Sequence, residues 1–124
     1  MEKRKYQQFE DLNVWQEGVN LCCDVYPQIR NSKEFCLRDQ IFRSSISIPS
    51  NIAEGFERQS DKEFVKFLYY AKGSSGELRT QLYIANQLCL IEESFCRQAI
   101  NRSRKISGML QNLITTIKKD INTF

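Results

Sequence analysis

Residues 60–89 read SDKEFVKFLYYAKGSSGELRTQLYIANQLC, and their pattern decides the fold. The stretch opens on Ser60-Asp61-Lys62-Glu63, a capping box in which the serine oxygen and the glutamate carboxylate satisfy orphan N–H groups at a helix start. Phe64, Leu68, Ala71, Ser75, Leu78, Leu82, Ala85 and Cys89 then alternate steps of four and three, the spacing of a helix packed along a shallow seam. Small residues, Ala71, Gly73, Ser74, Ser75 and Gly76, fall at its middle. Interior glycines cost about 1 kcal/mol each relative to alanine, so the pattern predicts a compensating close approach by another backbone there.

Apolar periodicity of the same kind extends to both sides. Leu37, Ile41, Ser45, Ile48, Ile52 and Phe56 keep helical spacing straight through Pro49. An interior proline removes one backbone bond and costs about 3 kcal/mol, which predicts a kinked helix over residues 35–57 with Gly55 fraying its end. Further upstream, Leu12, Trp15, Val19, Cys22, Tyr26 and Ile29 mark a first helix that Pro27 should kink or finish, followed by a polar loop at Asn31-Ser32-Lys33. Downstream, Phe95, Ala99, Ile106, Leu110, Leu113, Ile117 and Ile121 carry a fourth helix from Ser94 to Ile121. Four long helices and three short loops predict an all-α fold, an antiparallel up-down four-helix bundle with helix 2 kinked at Pro49. There is no strand alternation or internal repeat, so residues 1–124 are expected to form one domain, with residues 1–8 as a mobile basic arm.

Composition narrows the chemistry. At 124 residues the chain can bury roughly two-thirds of its unfolded surface without metal or disulfide staples. It contains no histidine, which removes the commonest general base and metal ligand together. The cysteines are Cys22, Cys23, Cys36, Cys89 and Cys96, an odd set with no C-x-x-C pair, so neither a metal nor a cofactor is expected. The N-terminus lacks the apolar segment of a secretory signal and no apolar run could span a membrane, which favours a cytoplasmic protein with reduced thiols.

No catalytic constellation emerges. Gly73-Ser74-Ser75-Gly76 lacks the Gly-Lys-Ser/Thr ending and preceding strand of a phosphate loop. Glu10-Asp11 and Glu92-Glu93 fall at the starts of helices 1 and 4, where acids suit the helix dipole. Glu54 and Glu77 sit beside the small-residue surfaces and read as buried carboxylates in need of Arg43, Arg58 or Arg79, either as a structural network or as part of a ligand or nucleic-acid site. The expectation is a protein that is not an enzyme.

The net charge is only +3, but it is uneven: residues 1–36 carry minus one, 37–60 zero, 61–90 plus one and 91–124 plus three. From Ser94 to Lys119 there are six bases and no acid. At about 100° per residue, Arg97, Arg104, Lys105 and Lys119 share one arc of helix 4 opposite its apolar side. With the arm residues Lys3, Arg4 and Lys5 they are the candidate nucleic-acid contacts, RNA or DNA, and repetition of the patch in an oligomer would raise its local potential. No base-reading motif is present.

Within helix 2, Arg43-Ser44-Ser45-Ile46-Ser47-Ile48-Pro49-Ser50-Asn51-Ile52-Ala53-Glu54-Gly55-Phe56 resembles the signature of a bacterial four-helix-bundle family. That family comprises the 23S rRNA intervening-sequence proteins and, in a related branch, the accessory variability determinant of diversity-generating retroelements. Phe9 to Trp15, Lys62 to Leu68, and Gly73-Ser74 with Glu77-Leu78 and Gln81-Leu82 resemble other parts of its pattern, so the similarity covers most of residues 9–121. The resemblance implies a homopentamer with basic surfaces and no known catalysis. For the retroelement branch it implies a protein scaffold bound to a reverse transcriptase; the mild net charge here favours the intervening-sequence branch. It also makes Arg43, Pro49, Asn51, Glu54, Gly73 and Glu77 structural or interface positions, with Ser47, Ser50, Asn51 and Glu54 placed to serve backbone groups freed by Pro49.

Overall fold

Four helices, α1 (Asn13–Ile29), α2 (Phe35–Phe56), α3 (Asp61–Gln87) and α4 (Glu93–Asn122), follow a short 3-10 turn at Phe9–Asp11 in a computed structural model that describes residues 6–122. No strand occurs among the described residues. The chain is all-α, as the periodicity predicts. Glu10 and Asp11 lie in the 3-10 turn rather than in the first turn of α1, because the Leu12 N–H closes on the Phe9 carbonyl at 3.0 Å before the helix begins. That turn sets Phe9 against Trp15, with ring centroids 5.3 Å apart, and against Phe56 at 6.4 Å. Phe56 meets Phe64 at 5.6 Å, so an aromatic chain closes this end of the bundle.

Helix ends follow local chemistry. The Ser60 hydroxyl accepts from the Glu63 N–H at 3.2 Å, while the Glu63 carboxylate lies 3.9 Å from Arg58. At the other end of α3, Cys89 adopts φ 56°, its N–H bonds the Asn86 carbonyl, and the Leu90 N–H reaches back to the Ala85 carbonyl at 2.9 Å. This is a Schellman closure with cysteine at the position that glycine fills most easily.

Each helix packs on two neighbours: α1 on α2 and α4, and α3 on α2 and α4. Paired residue numbers fall along one helix as they rise along the next. Cys22 faces Ser45 and Tyr26 faces Phe42 between α1 and α2. Tyr83 meets Arg104, Ser75 meets Ser103, and Lys72 meets Gln111 between α3 and α4. That order is the register of helices running in opposite directions. Leu21, Ile48, Ile52, Leu68, Leu78, Leu82, Ile106, Leu110 and Ile114 are sealed from water along the axis.

Both prolines are absorbed within helices. α1 runs two residues past Pro27 to Ile29, and α2 is continuous across Pro49. Pro49 is buried against α1 where Gly18 sits, so close that a Cβ on Gly18 would stand 3.4 Å from the proline Cδ and 3.2 Å from Ile48 Cγ2. The ring is accommodated by a glycine on the facing helix.

The glycines overturn two expectations. Gly55, expected to fray α2, is buried, and a Cβ there would lie 2.5 Å from Phe67 Cβ and 3.3 Å from the Phe64 carbonyl oxygen. Around Gly73 and Gly76, where the close approach was expected, nothing lies within 4 Å of such a Cβ. The physical reason is rotational: Gly73 is about 200° round the helix from both Ala71 and Ser75, the seam residues. Gly73→Ala should therefore stabilise the chain by about 1 kcal/mol, a rise in Tm of roughly 4 °C on thermal melting. A fall in Tm would place a neighbouring backbone on that face.

Candidate nucleic-acid interface

Arg97, Arg104, Lys105 and Lys119 are all exposed on α4, and Lys3, Arg4 and Lys5 lie outside the described residues. Their partners divide them. On the edge toward α1, Lys105 Nζ stands 3.3 Å from a Glu17 oxygen and Arg102 lies 2.9 Å from Asp24, while Arg97 pairs with Glu93 one turn back at 2.9 Å. Two residues of the stripe read from α4, Arg97 and Lys105, thus already face carboxylates, and the partner of Lys105 lies on α1, where the wheel of a single helix could not reveal it.

The edge toward α3 is different. Arg104 donates to the Tyr83 hydroxyl at 2.7 Å and to the Asn101 amide oxygen at 3.3 Å. Arg79 donates to the hydroxyls of Ser103 and Ser107 at 3.3 and 3.4 Å. Lys72 donates to the Gln111 amide oxygen at 2.7 Å, and Lys118 Nζ lies at the hydroxyl end of Tyr69, 3.4 Å from its oxygen and 5.5 Å from the ring centroid. Among the described residues, none of these four cations is in an ion pair. Every partner they have among these residues is neutral.

Serines hold this edge together. Ser75 and Ser103 are fully buried, their hydroxyls 2.9 Å apart; Ser75 also bonds the Ser103 carbonyl, Ser103 bonds the Ser75 carbonyl, and Ser107 bonds the Ser75 hydroxyl, each at 2.9 Å. Such small side chains let α3 and α4 approach closely while satisfying one another's hydroxyls. The sequence reading missed Lys72, Lys118, Tyr69 and Tyr83, and assigned Arg79 to Glu54 or Glu77. The available signal was the position of Lys72 and Arg79, one turn before and after the seam residue Ser75.

The helix 2 motif lies elsewhere. Arg43 is exposed, Asn51 is half-buried and donates to the Ser47 carbonyl at 2.8 Å, and Pro49 packs inward. Glu54 and Glu77 are exposed rather than buried, since both point away from the seams; Glu54 forms a 2.7 Å pair with Arg58 on its own helix. Gly73 is also on the outer surface. An exposed pair of this kind contributes little to stability.

Burial pushes the Cys22 thiol above its ordinary value, against the opposing hydrogen bond with Ser45, and burial likewise raises Cys96, whose Sγ donates to the Leu82 carbonyl. Both are held protonated at neutral pH, unlike nucleophilic thiolates. Among the described residues no cluster of acids and thiols is arranged to hold a metal ion, and no helix is long and apolar enough to cross a membrane.

Comparison with known proteins places this geometry in context. The family model for 23S rRNA-intervening sequence protein matches residues 10–112. A solved structure from Bacteroides thetaiotaomicron, described as a protein of unknown function from the S23 ribosomal protein family, is similar with a TM-score of 0.75 and 26% sequence identity. The alignment covers 82% of this chain and 97% of that one. No curated protein sequence matches.

Proposed function

The chain belongs to the 23S rRNA-intervening sequence protein family, and from that premise we propose that it is a non-enzymatic, homo-oligomeric, cytoplasmic protein that binds RNA along the α3–α4 edge. One observation carries the reading: among the described residues, Lys72, Arg79, Arg104 and Lys118 line that edge with neutral partners only. A cation facing a carboxylate already has its counter-charge. One bonded to a hydroxyl or an amide keeps its full charge for a phosphate, and arginine can meet phosphate oxygens in pairs. The surroundings reinforce this, since α3 has no acid between Glu63 and Glu77 and α4 none from Ser94 to Lys119. In an oligomer each copy repeats the four charges, and avidity multiplies contacts that are weak singly.

The test is a salt titration of RNA binding by fluorescence anisotropy. Replacing Lys72, Arg79, Arg104 and Lys118 together by glutamine should lower the slope of log affinity against log salt by about 3. Replacing Arg97, Arg102 and Lys105 together, which already face carboxylates, should change it by less than about 1. Equal losses in the two variants, or binding indifferent to salt, would refute the assignment. Light scattering checks the assembly: a mass of one chain would remove the oligomeric half of the proposal.

A further inference from the structure

We infer that the α3–α4 edge takes an unpaired RNA strand, with bases stacked on the Tyr69 and Tyr83 rings and phosphates on the four cations between and beside them. The inference rests on the RNA-binding reading above and adds the state of the strand. Tyr69 and Tyr83 are 42% and 45% exposed, large rings left open to water on a helix whose other face is sealed. They are fourteen positions apart in the sequence, so they stand about 21 Å apart along α3 and within about 40° of one another around it. Lys72, Gly76 and Arg79 lie between them on the same side.

The rings come with charges attached. Lys118 Nζ lies 3.4 Å from the Tyr69 hydroxyl and Arg104 donates to the Tyr83 hydroxyl, so each ring is steadied by a cation at its polar tip. A base laid on either ring would carry its phosphate toward that cation. The surface between the rings on α3 is open: nothing lies within 4 Å of a Cβ built on Gly76. Ring faces at both ends of a row of cations suit a strand whose bases are free to stack. A duplex hides its base faces in its own stack and offers only phosphates and groove edges, so the rings add little to its binding.

Full-length protein should be titrated with an unpaired RNA oligonucleotide and with a duplex carrying the same number of phosphates. The wild type should bind the unpaired strand about tenfold or more tightly than the duplex, and Tyr69→Ala with Tyr83→Ala should remove that preference by weakening the unpaired strand far more than the duplex. Tyr69→Phe with Tyr83→Phe should retain the preference, because the ring and not the hydroxyl stacks. Thermal melting confirms that the variants are folded. Equal binding of both RNAs by the wild type, or a phenylalanine variant as impaired as the alanine one, overturns the stacking role, and neither outcome touches the salt-slope comparison. Loss of salt-dependent binding to both RNAs by the wild type would instead overturn the RNA-binding reading itself.

Discussion

Gly55→Ala should lower the stability of the chain by about 3 kcal/mol, read as a fall in the urea midpoint at unchanged slope. The added methyl would lie 2.5 Å from Phe67 Cβ and 3.3 Å from the Phe64 carbonyl oxygen. Neither neighbour can swing aside, since one is fixed directly to the α3 backbone and the other is part of it. Relief requires the end of α2 to lift from the start of α3, which would open the edge-on contact of Phe56 with Phe64 and leave the buried Phe64 less well packed. Alanine gains about 1 kcal/mol over glycine as a helix former, so the predicted value is what remains after that offset. Gly73→Ala has the opposite expected sign with identical chemistry. Stabilisation by both substitutions would show that α2 and α3 do not approach most closely at Gly55.

The two glycines also show how far the sequence is legible. Its 3.6-residue periodicity contains the helices almost to their ends: the expected helix over residues 35–57 is α2 at Phe35–Phe56, and the Ser60 cap marks the residue before α3. It also contains the α3 seam, because Ala71, Ser75, Leu78 and Leu82 are all buried as spaced. The role of a glycine is a property of two helices, however. Gly55 could not be distinguished from a fraying terminus until the α3 residue opposite it was known, and Gly73 was misplaced by treating a small-residue cluster as one surface. Pro49 is legible as a disturbance of α2, while its partner Gly18 is not, since the two are thirty-one residues apart and nothing in α1 marks that glycine as special.

The candidate site follows the same division. Helix 4 is basic by inspection, and its residues are exposed where the wheel puts them. Charge compensation, by contrast, comes from α1: Glu17 and Asp24 neutralise Lys105 and Arg102 across a gap in sequence that no single-helix pattern reports. The uncompensated charge arises because the α3 edge facing α4 presents Lys72 and Arg79 rather than Glu77. An overall charge of +3 conceals this sorting, because bases paired with acids and bases with neutral partners lie on opposite edges of one helix.

Ser75→Leu should destabilise the chain by about 4 kcal/mol, the largest loss expected from a single change on the α3–α4 contact. Two terms combine. Leucine adds volume where both Ser75 and Ser103 are fully buried, and it strips their hydroxyl contact together with the bonds to the Ser103 carbonyl and the Ser107 hydroxyl. Ser75→Ala separates the terms, because it removes the hydroxyl without the bulk and should cost about 1.5 kcal/mol by chemical denaturation. Function should follow packing. Arg79 rests on the hydroxyls of Ser103 and Ser107, so a wedge at Ser75 displaces that cation while Lys118 and Tyr69, about two turns farther toward the start of α3, keep their places. The leucine variant should consequently lose about one unit of salt slope in RNA binding, and the alanine variant much less. A leucine variant no less stable than the alanine one would mean that α3 and α4 stand farther apart than the serine contacts require, and the cations of this edge would then lack a common scaffold.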